Sequence, residues 1–311
     1  MKFKSQWDDL TEKMGYWIDL DNPYITYEND YIESIWWAIN QIDKKGLIYK
    51  GFKIVPQSPT IETPLSSHEL SLGYREVKDP NCFIKVKILE TKKAELKDAQ
   101  LMVWTTTPWT LISNVAMAVG TDIEYVLVEN RRQIKSGEDK SEKVDRLVLA
   151  KARLSVLDGE YTILSSFKGK ELLGIVYEQI FDFVEIDRKK QPNGLTVLAA
   201  DFVSTEDGTG IVHMAPAFGA DDYEMSKIYD LPFLQPVTPG GKFTEGIGEF
   251  SNRPVKTFTY ADGHTEEGVD KDVIYSQKMK DKLYRSSFDS SFSDRCRASA
   301  VAPAKPTMML P

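Results

Sequence analysis

A run of three threonines closed by a proline places the strongest local constraint on this chain. The run lies within residues 104–110 and follows residues 100–103, which have the composition of a strand. Each hydroxyl donates one hydrogen bond and accepts two, and Pro108 fixes its own φ while keeping the preceding residue extended. The pattern predicts a strand that ends in a stiff, hydroxyl-lined rim. An ordinary β-edge followed by a turn fits the same residues, because Thr and Trp are good strand formers.

A second segment, residues 208–224, combines a glycine-permitted turn, a short strand, a loop and the start of a helix. His213 lies two residues beyond Ile211 on the predicted strand, so these side chains share a face. Asp222 lies in the first turn of the predicted helix. A lone histidine is more often structural than catalytic, and an aspartate is favoured at a helix start for capping and dipole reasons. We expect the helix N-terminus to keep Asp222 ionised at neutral pH, with Asp221 in the capping role.

Together the two segments resemble the paired signatures of the editing domain (connective peptide 1) of the isoleucyl-tRNA synthetases, which are class I aminoacyl-tRNA synthetases. The related leucyl and valyl enzymes carry Arg before the proline, where this chain has Thr107, and they lack a histidine at the position of His213. The resemblance extends from the N-terminus to about Arg285. It departs at residues 292–297, where Phe-Ser-Asp-Arg-Cys-Arg replaces the family's Tyr-Pro-x-Cys-Trp-Arg pattern.

Hydrophobic periodicity predicts helices at residues 5–14 and 28–45, and Trp36 falls on the apolar stripe of the second, which predicts core packing. From Glu76 onwards the rhythm changes to strands. Ile84 and Val86 alternate with Lys85, which predicts a half-buried strand.

Three further segments have distinctive patterns. The charged run at residues 131–143 predicts a solvated, mobile loop, and residues 220–229 and 270–283 predict helices. The residues thus support a mixed α/β chain. The resemblance implies a small helical stem and connector at residues 1–75 and a β-barrel-like editing domain with flanking helices at residues 76–285. Residues 286–311 are expected to form a low-complexity tail, disordered in part.

Composition excludes several classes of protein. No run approaches the roughly 18 apolar residues of a membrane span, and no secretory signal opens the chain. Only Cys82 and Cys296 occur, far apart, which argues against a disulfide scaffold and suits the cytoplasm. A net charge of −8 argues against a broad RNA-coating surface but permits a local basic path for one RNA end. No cluster has metal-ligand spacing, so we expect no metal and no cofactor.

Synthetases of this class need a His-x-Gly-His element and a Lys-Met-Ser-Lys-Ser-like loop to activate an amino acid with ATP. Neither is present, and residues 278–282 read Lys-Met-Lys-Asp-Lys in a helical pattern. The synthetic, ATP-binding site would belong to the full-length enzyme. We therefore expect this chain to be a portion of a longer enzyme that hydrolyses an ester and does not form one.

The resemblance implies roles for individual residues. Asp222 would anchor the α-ammonium of an aminoacyl ester at the catalytic site, beside the hydroxyls of Thr105 and Thr106. His213 would oppose the extra methyl group of isoleucine as a steric sieve. The remaining substrate-binding candidates are Thr107, Trp109, Thr110, Asn114 and Asp221. Trp109 either stacks on the terminal adenine or packs in the core, and Asn114 orients a neighbour through its amide.

The expected function is hydrolysis of valyl-tRNA(Ile) formed in error, and also of valyl-adenylate. The expected partners are the 3′ end of tRNA(Ile), the aminoacyl moiety and the rest of the synthetase, with no membrane. Two alternatives stay open: a valyl-type editing domain that clears threonyl-tRNA, and a non-catalytic tRNA-binding module. Thr107 and His213 oppose the first, and the joint presence of Thr106, His213 and Asp222 opposes the second.

Overall fold

A computed structural model describes residues 2–71, 79–136, 139–259, 262–290, 300–301 and 305–309. The chain forms two compact units. The described residues of Met1–Gly51 and Pro306–Pro311 form the first, and those of Phe52–Lys305 form the second. The first unit contains α1 (Lys2–Lys13) and α2 (Asn29–Lys44), which confirms both helices predicted in this region.

The apolar stripe of α2 is exposed. Ile35 is 42% exposed and Trp36 is 65% exposed, and no residue of the helix is buried. The prediction that Trp36 packs in a core is therefore wrong for this chain. An apolar stripe shows which face of a helix requires a partner, but it does not show that the same chain supplies one. Gly46 ends the helix with a φ of +68° and donates its N–H to Asp43 O.

The second unit is rich in strands, as the sequence predicts. The strands of the described chain are β1 (Tyr49–Lys53), β2 (Pro56–Ser58), β3 (Thr63–Pro64), β4 (Asp79–Glu90), β5 (Gln100–Thr105), β6 (Ala116–Val119), β7 (Glu124–Ser136), β8 (Asp139–Ala150), β9 (Glu160–Lys168), β10 (Val176–Tyr177), β11 (Val197–Ala199), β12 (Ile211–Met214), β13 (Phe258–Thr259), β14 (Thr265–Glu266), β15 (Leu283–Ser290), β16 (Ala300–Val301) and β17 (Lys305–Met309). The helices of this unit are α3 (Ser67–Ser71), α4 (Ala220–Tyr229) and α5 (Asp270–Met279).

The largest sheet has the order β10-β4-β5-β8-β7-β9, and β15 pairs with another part of β4. It curls as a half-barrel, and within the described residues no pairing joins β9 to β10. A smaller sheet, β11-β6-β12, lies beside it with β12 against β5. The mixed α/β, barrel-like class predicted from the sequence is confirmed. The contact between β12 and β5 brings the two signature segments together.

Three local predictions in this unit are wrong. Lys85 is buried at 1% exposure because its ammonium lies 2.8 Å from the Asp145 carboxylate. The predicted loop at 131–143 continues the β7–β8 hairpin, in which Arg131 pairs with Val144 and Ser136 with Asp139. The charged side chains that suggested a loop are compatible with a hairpin that extends into solvent, where one face need not be apolar.

The third error concerns the C-terminal end of the predicted helix at 270–283, since α5 ends at Met279 and β15 begins at Leu283. β15 continues along β4, with Ser286 opposite Cys82. The predicted tail therefore begins with a sheet strand. The rest of that prediction concerns segments that lie largely outside the described residues, Cys296 among them.

Candidate functional site

The threonine stretch forms a turn that is closed by its own hydrogen bonds. β5 ends at Thr105, and a 3-10 turn, Pro108–Ser113, begins at the proline. The Thr107 carbonyl accepts both the backbone N–H of Thr110 at 3.0 Å and its hydroxyl at 2.7 Å. The Thr107 N–H donates to Thr105 Oγ1 at 3.1 Å. The predicted stiff rim at the strand end is therefore present, and we refer to residues 105–110 as the threonine turn.

Two glycines position the second segment against this turn. Gly208 and Gly210 have φ values of +65° and +74°, which glycine adopts without strain. A Cβ on Gly210 would lie 2.5 Å from Ala150 Cβ, so no larger residue fits there. The chain then enters β12, where His213 lies opposite Met117 of β6. The predicted glycine-permitted turn and short strand are confirmed.

His213 meets the threonine turn in a buried polar cluster. Its Nε2 lies 3.1 Å from Thr110 Oγ1 and 3.5 Å from Thr105 Oγ1, the second distance being at the limit of hydrogen bonding. Thr107 Oγ1 joins the group, 3.1 Å from Thr110 Oγ1 and 3.3 Å from Thr105 Oγ1. The structure thus brings together four of the predicted site residues, which we call the Thr–His cluster.

The imidazole of the Thr–His cluster is neutral at physiological pH. Burial lowers the pKa of His213 to about 4 because the charged form loses its hydration. The Thr110 hydroxyl uses its one proton on the Thr107 carbonyl, so it accepts from His213, and we assign the proton to Nε2. His213 Nδ1 is then an acceptor, and it is buried without a partner among the described residues.

Asp222 lies close in the chain to this cluster. Its Oδ2 accepts the backbone N–H of Ala215, two residues beyond His213, at 2.8 Å. A Cβ on Gly219 would lie 2.8 Å from the same oxygen, so the glycine makes room for the carboxylate. The structure places Asp222 in the first turn of α4, as predicted.

The electrostatics of Asp222 differ from the prediction based on the helix dipole. Burial raises the pKa of its carboxyl to about 6, and the Ala215 N–H opposes that rise only in part. Desolvation thus outweighs the helix N-terminus, although a group with this pKa is still roughly nine-tenths ionised at pH 7. The capping prediction for Asp221 is wrong: the N-cap is Gly219, no side chain caps the helix, and Asp221 is exposed.

Three other predicted site residues have distinct surroundings. Thr106 is partly exposed, and its hydroxyl has no partner in the part of the chain that the structure describes. Trp109 is 1% exposed and packs edge-on against Phe218 with ring centroids 4.8 Å apart, so it packs in the core. The amide of Asn114 is occupied at both ends: it donates to Ala116 O at 3.0 Å and accepts from the Tyr177 hydroxyl at 2.7 Å.

A buried carboxyl that was not predicted from the sequence lies next to the threonine turn. Asp270, the first residue of α5, is 7% exposed, and its Oδ1 accepts the backbone N–H of Trp109 at 3.0 Å. Burial raises its pKa to about 7. An aspartate at the start of a predicted helix is common, so the sequence carried no sign that this carboxyl serves a turn 161 residues away.

Two features are absent from the described residues, a metal-ligand cluster and a membrane-spanning helix. No group of three or more His, Cys, Asp or Glu in that part of the chain is placed to hold a metal ion. Likewise, no described helix combines the length and apolar character needed to cross a membrane. The candidate site therefore consists of the Thr–His cluster, the free Thr106 hydroxyl and the Asp222 carboxylate.

Comparison with known proteins identifies relatives over most of the chain. A family described as tRNA synthetases class I (I, L, M and V) matches residues 1–284. An isoleucine--tRNA ligase of Clostridium acetobutylicum is 48% identical over 254 residues, which are 82% of this chain and 22% of the relative. A Clostridium tetani isoleucine--tRNA ligase is 41% identical over 89% of this chain and 24% of its own length.

The chain thus spans about a quarter of the length of these curated relatives. Among solved structures, the editing domain of the P. knowlesi cytosolic leucyl-tRNA synthetase overlaps 51% of this chain and 66% of that chain, with 17% identity and a TM-score of 0.37. A likeness of that size decides nothing about this protein. The family match and the identities to the curated relatives confirm the resemblance stated from the sequence: the chain belongs to the class I tRNA synthetase family and is a segment similar to isoleucine--tRNA ligases.

Proposed function

We propose that this segment is an editing hydrolase, which cleaves the aminoacyl ester of valyl-tRNA(Ile) and also acts on valyl-adenylate. The observation that carries the proposal is the Thr–His cluster together with the Asp222 carboxylate, which accepts the backbone N–H of Ala215, two residues beyond His213. It combines neutral hydroxyls and a neutral imidazole with one carboxylate that is ionised at neutral pH. An aminoacyl ester presents a complementary set of groups: a carbonyl, ribose hydroxyls and an α-ammonium.

Asp222 would bind the α-ammonium of the amino acid. A charge-assisted hydrogen bond in a partly buried site is stronger than one in water, because the surroundings have a lower effective dielectric constant. The Ala215 N–H already holds one carboxylate oxygen, Oδ2, which fixes the direction of the group. Although burial raises the pKa of Asp222 to about 6, the carboxyl is still mostly ionised at pH 7, so it can bind a cationic ammonium group.

The threonine turn would align the ester and the attacking water. The hydroxyls of the Thr–His cluster contact one another, and His213 contacts those of Thr105 and Thr110. These contacts form a preorganised wall. Thr106 is the member of the run whose hydroxyl is free, which makes it the group best placed to bind a water or the ester carbonyl. A positioned neutral donor stabilises charge that develops on the carbonyl oxygen in the transition state.

His213 would limit the size of the amino acid. A pocket sized for isoleucine discriminates against valine by only about 1–3 kcal/mol. This pair of amino acids is the usual example of that limit, and the figure does not come from this structure. A second site that hydrolyses the smaller product and excludes the larger one supplies the missing selectivity. A buried, neutral imidazole suits a steric wall better than a general base, because its pKa of about 4 is far below the working pH.

The tRNA and the rest of the synthetase are the proposed partners, and the cytoplasm is the proposed location. The relatives are about four times as long as this chain, so most tRNA contacts would lie outside it. The exposed stripe of α2, which includes Trp36, is in keeping with a surface that the remaining enzyme covers.

The test is deacylation of valyl- and isoleucyl-tRNA(Ile) and of threonyl-tRNA(Val) by the purified chain. We expect hydrolysis of the valyl ester, no hydrolysis of the isoleucyl ester, and loss of activity in Asp222→Ala. The matched control is Glu224→Ala, which removes an exposed carboxylate from the same helix, where it pairs with Lys227. Hydrolysis of threonyl-tRNA with a valine-specific tRNA would favour the valyl-type alternative. Binding of tRNA without hydrolysis of any ester would favour the non-catalytic module.

A further inference from the structure

A second buried carboxyl lies behind the threonine turn and contacts its backbone. Asp270 Oδ1 accepts the Trp109 N–H at 3.0 Å. Trp109 is the second residue of the 3-10 turn, so its N–H belongs to the donors that a helical turn leaves unpaired at its start. A side chain normally supplies such a cap from just before the turn. Here the acceptor comes from the first residue of α5, 161 residues further along the chain.

The same tryptophan links the turn to the segment that carries Asp222. Its ring packs against Phe218 at 4.8 Å and an interplanar angle of 70°. Phe218 directly precedes Gly219, the N-cap of α4. A line of contacts therefore runs from Asp270 through Trp109 to the start of the helix that holds Asp222.

The turn transmits the position of Trp109 to the Thr–His cluster. Thr110 follows Trp109 directly, and its N–H and hydroxyl both bond to the Thr107 carbonyl. Its hydroxyl also contacts His213 Nε2 at 3.1 Å. A shift of the Trp109 backbone would move Thr110 and open the contact with His213.

The surroundings of Asp270 show that packing alone does not account for it. The carboxyl is 7% exposed, and desolvation penalises its charge. Lys256 favours the charged form, but its ammonium is already paired with Asp79, which disfavours it. The nearby Cys82 thiol is neutral, since burial raises its pKa to about 12. An apolar side chain would fill this position without desolvating a charge, but it could not accept the Trp109 N–H.

We propose that Asp270 is a positioning residue: by accepting the Trp109 N–H it holds the threonine turn in the geometry in which Thr110 meets His213. The inference rests on the proposed hydrolysis for its catalytic consequence. Its structural part, the restraint of the Trp109 backbone, stands independently of the substrate.

The test compares three variants of the whole chain. Asp270→Ala removes the acceptor, whereas Asp270→Asn keeps an oxygen that can accept the N–H and removes the charge. Asp272→Asn is the matched control, because Asp272 lies in the same turn of α5 but is exposed and paired with Arg253. The readouts are hydrogen–deuterium exchange at the Trp109 amide and single-turnover hydrolysis of valyl-tRNA(Ile) over a range of enzyme concentrations.

For Asp270→Ala we expect exchange at Trp109 to accelerate about tenfold or more, because the amide loses its partner. The hydrolytic rate at saturating enzyme should fall about 10- to 100-fold. The enzyme concentration that gives half of this rate should change less than about twofold, because a misplaced group slows the chemical step more than it weakens binding. Asp270→Asn should restore both readouts to near the parent values. Asp272→Asn should resemble the parent in both.

A folded Asp270→Ala variant with the parent's rate and exchange would overturn the proposal. The proposal would also be overturned if Asp270→Ala needed a higher enzyme concentration for half-saturation but kept the parent's rate at saturation. That result would indicate that Asp270 contacts the substrate. If Asp270→Ala does not fold, Asp270→Glu serves instead, because it keeps the charge and displaces the acceptor. Parent-like rate and exchange in Asp270→Glu would also overturn it. If the parent hydrolyses no ester, that result contradicts the proposed function only. Hydrogen–deuterium exchange at the Trp109 amide then still decides whether Asp270 restrains the threonine turn.

Discussion

Asp222 and Asp270 are the same residue type in the same kind of place, since each lies in the first turn of a helix. Burial raises the pKa of both, to about 6 and about 7 respectively. They differ in what surrounds them. Asp222 is partly exposed, whereas Asp270 is buried and bonded to the backbone of the threonine turn.

The difference separates two uses of a buried carboxyl. Asp222 also accepts a backbone N–H, that of Ala215, through its Oδ2. It is partly exposed, however, and its Oδ1 has no partner among the described residues, so that oxygen can bind a cationic ligand. Asp270 has its acceptor directed at a backbone N–H, so its geometry is in use at all times. The comparison predicts that removing the charge harms function at Asp222, whereas removing the acceptor harms function at Asp270.

The largest expected effect comes from Asp222→Asn, which keeps the size of the side chain and removes its charge. Without a counter-ion for the α-ammonium, hydrolysis of valyl-tRNA(Ile) should fall about 1000-fold, which corresponds to ~4 kcal/mol. Asp270→Asn should change it by less than about threefold. Single-turnover deacylation of both variants measures the contrast. Equal losses in the two variants would remove the distinction between an anchoring and a positioning carboxyl.

The second prediction concerns the pH dependence of stability. The folded pKa of Asp270 is about 7, above the ordinary value of 3.8, so the stability it contributes is present below pH 4 and is lost as the pH rises through 7. Asp270→Asn lacks this titration. Its free energy of unfolding relative to the parent should therefore increase between pH 4 and pH 8, by no more than about 4 kcal/mol.

Urea unfolding of the parent and of Asp270→Asn at several pH values measures this difference. Lys256 reduces the expected effect and Asp79 increases it, whereas the Cys82 thiol stays neutral across the range. Asp222→Asn should show the same sign with a smaller amplitude, because that carboxyl is less deeply buried and its pKa rises less. A stability difference that is flat with pH would show that Asp270 titrates as an ordinary exposed aspartate.

These carboxyls also show how far the sequence leads. The hydroxyl run with Pro108, the strand that carries His213 and the helix that begins at Ala220 were all predicted from local chemistry, and the structure has them. Local patterns succeeded there because turns, strand alternation and helix starts are determined by neighbouring residues. The family signatures then predicted that the two distant segments would meet.

Long-range burial was not predictable in the same way. The sequence suggested that the helix dipole would dominate the pKa of Asp222, but desolvation does. It suggested an exposed Lys85, but Asp145 from another strand holds that ammonium in the interior. It gave Asp270 no role at all. The misses at Lys85 and Asp270 depend on partners from distant parts of the chain, which neither periodicity nor propensity identifies. The miss at Asp222 depends on how deeply the folded chain buries its carboxyl.

The third prediction concerns His213, which lies inside the Thr–His cluster and is proposed to limit the size of the amino acid. His213→Ala should let the chain hydrolyse isoleucyl-tRNA(Ile), with the preference for valine falling about 10- to 100-fold, or about 1–3 kcal/mol. His213→Phe keeps a bulky ring and should still exclude isoleucine. Competition between the two charged tRNAs measures the preference. Unchanged discrimination in His213→Ala would place the sieve on another residue.

The smallest expected effect applies the same contrast to two neighbouring threonines. Thr106 is partly exposed and its hydroxyl is free among the described residues, whereas Thr105 is buried and accepts the Thr107 N–H at 3.1 Å. Thr106→Val should slow hydrolysis about threefold to tenfold and leave stability unchanged, because one neutral hydrogen bond to the reacting groups is lost. Thr105→Val should instead lower the free energy of unfolding by about 1 kcal/mol, since it leaves a backbone N–H unpaired.

Deacylation rates and urea unfolding of both valine variants give the comparison directly. If Thr105→Val slows hydrolysis at unchanged stability while Thr106→Val has no effect, the engaged hydroxyl contacts the substrate and the free one does not. Exposure would then fail as a guide to which polar groups act on the ester, for the threonines and for the two carboxyls alike. The predicted outcome would instead extend one rule to both pairs: groups already bonded within the fold maintain the site, and groups left open carry out its chemistry.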